Sequence, residues 1–155
     1  MKHTSLSSLF DPRSVALVGA SGDPGKIGYL LAENILGQPF GGRVYFVNPK
    51  GAPILGKESL RSIRELPEGV DLMILVIPKA VMLDSVREGV RKKVGCIVAL
   101  TAGFKETREV GSALEEQLKQ RLRGTSTCSV EAGLGKRSFS PTLPDLRSSS
   151  SAGRS

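Results

Sequence analysis

Four glycines stand at intervals of three in one short stretch, Gly19, Gly22, Gly25 and Gly28 of VGASGDPGKIG. Glycine tolerates positive φ and lets a ligand approach main-chain amides that a Cβ would screen. Ser21 adds a hydroxyl beside them and Lys26 a full positive charge. The chemistry that suits such a loop, Gly19-Ala20-Ser21 onward, is the cradling of a phosphate or diphosphate. The amides of Ile27 and Gly28 would be unpaired and partly positive at the start of a following helix. A flexible turn would use the same residue types, so the flanking elements have to decide. No Gly-Lys-Ser/Thr triplet occurs in the chain, which argues against the phosphate loop of nucleoside triphosphate hydrolases.

Those elements are legible on both sides. SVALVGA (14–20) is a short apolar run that reads as a buried strand. Residues 27–37 carry Ile27, Leu30, Leu31, Ile35 and Leu36 at helical spacing, with Gly37 as the stop. RVYFVNP (43–49) is a second strand ended by Pro49, and DLMILVIP (71–78) a third ended by Pro78. SLRSIREL (59–66) reads as a short helix capped by Ser59. Helices are also expected over 79–92 and 106–122, with the strand VGCIVALT (94–101) between them. Continuous apolar strands alternating with helices imply an α/β fold, a Rossmann-like doubly wound parallel sheet. In such sheets ligands sit beyond the carboxyl ends of the strands. The candidate positions therefore lie at 19–28, 48–51, 77–80 and 101–104.

The end of the second strand narrows the ligand. A site for NAD carries an acid there to hold the ribose 2′-hydroxyl. This chain has Val47-Asn48-Pro49-Lys50-Gly51, with a cation and no acid. A cation favours a ribose bearing an extra phosphate, as in NADP or in coenzyme A.

Six segments then match one family in order: LFDPRSVALVGAS (9–21), GKIG (25–28), GGRVYFVNPKG (41–51), ILGKESLRSI (54–63), DLMILVIP (71–78) and TAGFKE (101–106). Over residues 8–120 the chain resembles the CoA-binding domain of the NDP-forming acyl-CoA synthetases, relatives of the succinyl-CoA synthetase α subunit. The resemblance implies that the cofactor is coenzyme A. Gly19, Ser21, Lys26 and Gly28 would contact its diphosphate, with Ala20 and Ile27 of the same loop also binding the cofactor. Pro49 and Lys50 would lie along the adenosine and its 3′-phosphate, with Asn48 beside them as a further cofactor-binding residue. Ile77 and Pro78 would flank the adenine or pantetheine, and Thr101, Ala102, Gly103 and Phe104 would stand nearer the thiol. Partners implied are the remaining synthetase domains or an ATP-grasp subunit. A stand-alone CoA-binding module and an NADP-binding oxidoreductase fragment are the alternative readings.

Enzymes of that family relay a phosphoryl group through a histidine in a second domain. The one histidine here is His3, ahead of the first strand, and no catalytic residue is assigned. No His/Cys spacing suggests a metal. The family's next strand, with its Gly-Pro-Asn motif, is not recognisable. The expectation is therefore a domain over 8–122, truncated or out of frame after about residue 120, that lacks its last strand. The Ser-, Gly-, Pro- and Arg-rich segment 123–155 is expected to be disordered. The net charge of +7 divides into +4 over residues 1–121 (17 basic, 13 acidic) and +3 beyond (5 basic, 2 acidic). Bases interleaved with acids and only 5% aromatic residues argue against a nucleic-acid partner. No apolar run approaches the ~20 residues of a membrane helix, and a cytoplasmic location is expected. Two cysteines do not suggest a disulfide framework, and Cys96 reads as a small core residue.

Overall fold

The computed structural model describes residues 7–101, 120, 128–133 and 140–142. A one-turn helix α1 (Ser7–Phe10) leads into strand β1 (Ser14–Val18). Helix α2 (Ile27–Gly37) follows, with the bounds its apolar spacing predicts. Strands β2 (Arg43–Val47) and β3 (Ser59–Leu60) come next, then a 3-10 turn over Ile63–Glu65. Strand β4 (Leu72–Leu75), helix α3 (Lys79–Arg91) and strand β5 (Cys96–Thr101) complete this part. Two further strands are β6 (Cys128–Gly133) and β7 (Ser140–Thr142).

The strands form one sheet in the order β3-β2-β1-β4-β5-β6-β7. All pairings are parallel except β6 with β7. Alternation along the strands divides the core between two faces. Leu17, Phe46 and Ile74 pack with Ala32, Leu31 and Ile35 of α2. Ala16, Val18, Met73, Leu75 and Ile97 pack on the other face with Met82 and Val86 of α3 and with Ile63. Helical cover on both faces is what a doubly wound sheet requires, so the fold class read from the sequence is the one found.

At the amino end one carboxylate ties the two central strands together. Asp71 Oδ2 accepts from the amides of Arg13 and Ser14 at 2.9 and 3.1 Å and from Ser14 Oγ at 3.2 Å. The Asp71 amide donates back to Ser14 Oγ at 3.0 Å. This clamp sets β1 against β4 in the register Val15↔Leu72 to Val18↔Leu75, which places their carboxyl ends side by side. The chain runs outward from β1 to β3 and returns to β4 on the other side of β1, so the topological switch falls between β1 and β4.

Three expectations fail. The segment 59–66 is not a helix: Ser59 and Leu60 extend the sheet beside Phe46 and Val47, and only a 3-10 turn follows. Its cap is Ser62, whose Oγ accepts the Arg64 amide at 3.2 Å, not Ser59. The free edge of β2 wins the local contest because it satisfies backbone groups that a two-turn helix would leave open. Second, the sheet does not stop at β5. Strand β6 pairs with it over six residues, from Cys96↔Cys128 to Thr101↔Gly133. Segment 123–155 is thus not wholly irregular, since it supplies β6 and β7. Cys128, Val130 and Ala132 alternate with Ser129 and Glu131, a period-two pattern too short to stand out among Ser and Gly. Third, Cys96 is fully buried as a core residue should be, but its sulfur is disulfide-bonded. The helix expected at 106–122 lies outside the described residues, Gln120 apart. No helix among the described residues is long and apolar enough to cross a membrane.

Candidate functional site

The loop after β1 is shaped by its backbone. Gly19 has φ +91°, and its amide donates to the Val47 carbonyl of β2 at 3.0 Å. A Cβ at Gly19 would overlap the Val76 carbonyl just after β4. The end of β1 is therefore wedged between its two neighbours with no room for a side chain. Gly28, in the first turn of α2, is fitted in the same way, because a Cβ there would overlap the Gly19 carbonyl. The helix thus starts directly on the loop. Gly22 and Gly25 meet nothing closer than 3.9 and 3.5 Å and are not confined.

Asp23, which the sequence reading passed over, organises the turn between them. Its amide donates to Ser21 Oγ at 3.1 Å, its Oδ1 accepts from Gly25 at 3.0 Å, and its carbonyl accepts from Lys26 at 3.0 Å. Lys26 is the extended N-cap residue of α2 and makes no side-chain cap. The first turn of α2 itself carries no acid, and the nearby Asp23 carboxylate is engaged by the Gly25 amide. Ser21 is half-buried, Ile27 half-buried, Ala20 buried and Lys26 exposed.

Asn48 ties this loop to the second strand. Its Nδ2 donates to the Ala20 carbonyl at 3.0 Å, and its Oδ1 accepts from the Lys50 amide at 2.8 Å. The Asn48 amide donates to Leu60 of β3 at 2.8 Å. Asn48 therefore holds three carboxyl-end segments in one arrangement, with its side-chain atoms already engaged.

Beside this frame lies a cleft of about 540 Å3 on the α3 side of the sheet, at the β1/β4 switch. Val18 and Gly19 of the β1 end, Val47 and Pro49 after β2, and Ile77 after β4 form its floor and near wall. Arg61, Ser62, Ile63 and Arg64 form a second wall, and Val81, Asp84, Ser85, Arg87, Glu88 and Arg91 of α3 a third. Glu88 accepts from Arg64 at 3.3 Å and from Arg91 at 3.1 Å, and Asp84 pairs with Arg87 at 3.0 Å. Four arginines against two carboxylates give the walls a net positive charge, with an apolar floor beneath. Outside this cleft, Lys93 hydrogen-bonds Glu68 and holds its carboxyl below the ordinary glutamate value of 4.5.

Of the residues singled out from the sequence, Gly19, Pro49 and Ile77 line the cleft together. Gly28 abuts Gly19, and Asn48 braces the loop. Lys50 is exposed at the tip of its turn and does not line the cleft; Pro78 is exposed as the residue preceding α3. Thr101 ends β5, and Ala102, Gly103 and Phe104 lie outside the described residues. The arginines were missed. Their signal was the spacing of Arg61 with Arg64 and of Arg87 with Arg91, three and four residues apart, but the two pairs meet only through the fold.

A loop that glycine alone can form, with a cationic cleft beside it at the switch point, fits a nucleotide-like polyanion. Comparison with known proteins gives that geometry a family. The model of a CoA binding domain matches residues 13–132, most of the chain and through β6. The chain belongs to the CoA-binding domain family. This CoA-binding domain is 41% identical over 113 residues to the α subunit of acetate–CoA ligase [ADP-forming] II from Pyrococcus furiosus, covering 73% of this chain and 24% of that one. It is 42% identical over 113 residues to acetate–CoA ligase [ADP-forming] I from Archaeoglobus fulgidus, covering 73% and 16%. Among solved structures it superposes with a TM-score of 0.72 and 32% identity on the dinucleotide-forming acetyl-coenzyme A synthetase 1 of Ca. Korarchaeum cryptofilum in complex with phosphate and ADP, covering 83% of this chain and 27% of that one. The CoA-binding domain is thus similar to the α subunits of ADP-forming acid–CoA ligases. It spans only about 15–27% of the length of the curated relatives it matches.

Proposed function

We propose that this domain binds coenzyme A as the CoA-holding part of an NDP-forming acid–CoA ligase. The observation that carries the reading is the pairing of the Gly19/Gly28 cradle with the arginine-walled cleft, in a chain whose family match runs through both. The diphosphate lies against the loop, over Ser21, Lys26 and the first amides of α2, where partial and full positive charges converge. The adenosine enters the cleft between Pro49 and Ile77, with Lys50 at the rim. The pantetheine leads toward the β5 end, Thr101 and the segment Ala102–Phe104. Bound coenzyme A would supply a thiol that displaces phosphate from an acyl phosphate delivered by other domains, giving a thioester, free phosphate and the thiol's proton.

The domain's own residues bind and orient. Gly19 and Gly28 let the loop pack directly on the end of β4 and on the start of α2, because a Cβ at either would overlap main chain. Asn48 fixes the loop against β2, so the bound diphosphate meets a preformed surface. The activated acyl group and the phosphohistidine relay are assigned to other domains or to an ATP-grasp subunit.

Calorimetric titration of the purified chain with CoA, NADPH and NADH tests the reading. CoA is expected to bind and the nicotinamide nucleotides not to. Tight NADPH binding with none for CoA would overturn it. Acyl-CoA synthesis with ADP or GDP as nucleotide product, assayed with and without a candidate second subunit, tests the assignment to a ligase.

A further inference from the structure

Two cations compete for the ribose end of this site. Lys50 is the one the sequence points to, and its backbone is held at the turn tip by Asn48 Oδ1. Lys50 and Arg61 are both exposed, but Lys50 does not line the cleft and Arg61 does. Arg61 comes from the carboxyl end of β3. There the Leu60 carbonyl accepts the Asn48 amide and sets Arg61 beside the turn Asn48–Gly51.

Three observations make Arg61 a built feature. First, its stem lies across Gly51: a Cβ on that glycine, which has φ +63°, would stand 2.7 Å from Arg61 Nε and 3.0 Å from Cγ. Glycine at 51 thus leaves room for the Arg61 stem to lie against the turn. Second, the Arg61 amide donates to Glu65 Oε2 at 3.2 Å, which fixes the backbone from which the stem leaves. Third, the cleft's other arginines are engaged, Arg64 and Arg91 by Glu88 and Arg87 by Asp84. Among the described residues no carboxylate pairs with the Arg61 guanidinium. Arg61 is thus an exposed residue that lines the cleft and lacks a carboxylate partner among the described residues.

We propose that Arg61 binds the phosphomonoester on the ligand's ribose and determines the preference for a phosphorylated nucleotide, with Lys50 as an outer, screened charge. A guanidinium offers paired N–H donors that match a phosphate, whereas an exposed ammonium acts as a hydrated point charge. The assignment rests on the coenzyme A reading for which ribose phosphate is meant, the 3′-phosphate; the 2′-phosphate of NADP presents the same chemistry.

The test compares CoA with dephospho-CoA, and NADP with NAD, on the full chain and on the variants Arg61→Gln, Arg61→Lys and Lys50→Gln. Wild type should prefer CoA over dephospho-CoA by about 10- to 100-fold, the worth of one charge-assisted phosphate contact. Arg61→Gln should reduce that preference to near unity while dephospho-CoA binding stays within about twofold, showing the rest of the site intact. Arg61→Lys should fall between. Lys50→Gln should cost both ligands a few-fold at most. A preference that survives Arg61→Gln, or one lost with Lys50→Gln instead, overturns the proposal. Failure of wild type to bind CoA, with an Arg61-dependent preference for NADP over NAD, would keep the phosphomonoester role and overturn the coenzyme A reading.

Discussion

The two halves of this site are made of different material. The loop after β1 works by removing side chains: Gly19 and Gly28 are where they are because main chain stands where a Cβ would go. The cleft beside it works by collecting side chains, with arginines from the segment after β3 and from α3 held by Glu88 and Asp84. The first half is fixed by backbone sterics at Gly19 and Gly28. The second is electrostatic, exposed at its rim and open to screening. On the proposed reading a polyphosphate ligand would use both, one for shape and close approach and the other for charge.

The strongest way to break this contrast is Gly19→Ala. A methyl group at φ +91° against the Val76 carbonyl combines a disfavoured backbone with an overlap that no rotamer relieves. The expected loss is about 3 kcal/mol in urea denaturation, with CoA binding abolished. Gly22→Ala, in the same loop but unconfined, should stay within about 0.5 kcal/mol. If the two alanines cost the same, the loop is merely flexible and the contrast dissolves.

Asn48→Ala sharpens it at the joint between the halves. A part-buried side-chain bond to the Ala20 carbonyl and an exposed one from the Lys50 amide disappear, for an expected loss of about 1–2 kcal/mol. CoA affinity should fall with it, because the loop is no longer braced against β2. Unchanged affinity in a destabilised variant would mean that the loop holds its shape alone.

The smallest effect is expected in the cleft. Glu88→Gln releases Arg64 and Arg91, which share that carboxylate at 3.3 and 3.1 Å. Stability should change by less than about 1 kcal/mol, since both arginine heads are largely in water. CoA should bind about two- to fivefold more tightly at low salt, and the gain should fade as salt is raised toward about 1 M. A gain that persists in high salt would show that Glu88 acts by shape.

Legibility followed the same division. The bounds of α2 could be read because five apolar residues recur at helical spacing and Gly37 ends the run. The strands β1, β2, β4 and β5 could be read because strands buried on both faces must be continuously apolar. The cradle could be read because the need for glycine is local. Segment 59–66 misled because Ser59-Leu60 is too short to declare itself, and the edge of β2 recruited it. Strand β6 misled because its alternation lies in a run of small and polar residues, and its pairing with β5 is long-range.

The sequence by itself determined a parallel α/β sheet, a glycine-dependent loop at Gly19–Gly28 and the absence of an acid after the second strand. Each depends on residue type at near-neighbour spacing, where periodicity and backbone sterics act. Tertiary structure alone decided that Arg61, Arg64, Arg87 and Arg91 share one cleft, that carboxylates engage three of them, and that Lys50 stands outside it. Charges far apart in the chain become neighbours only when β3 and α3 reach the same end of the sheet, and no local pattern encodes that meeting.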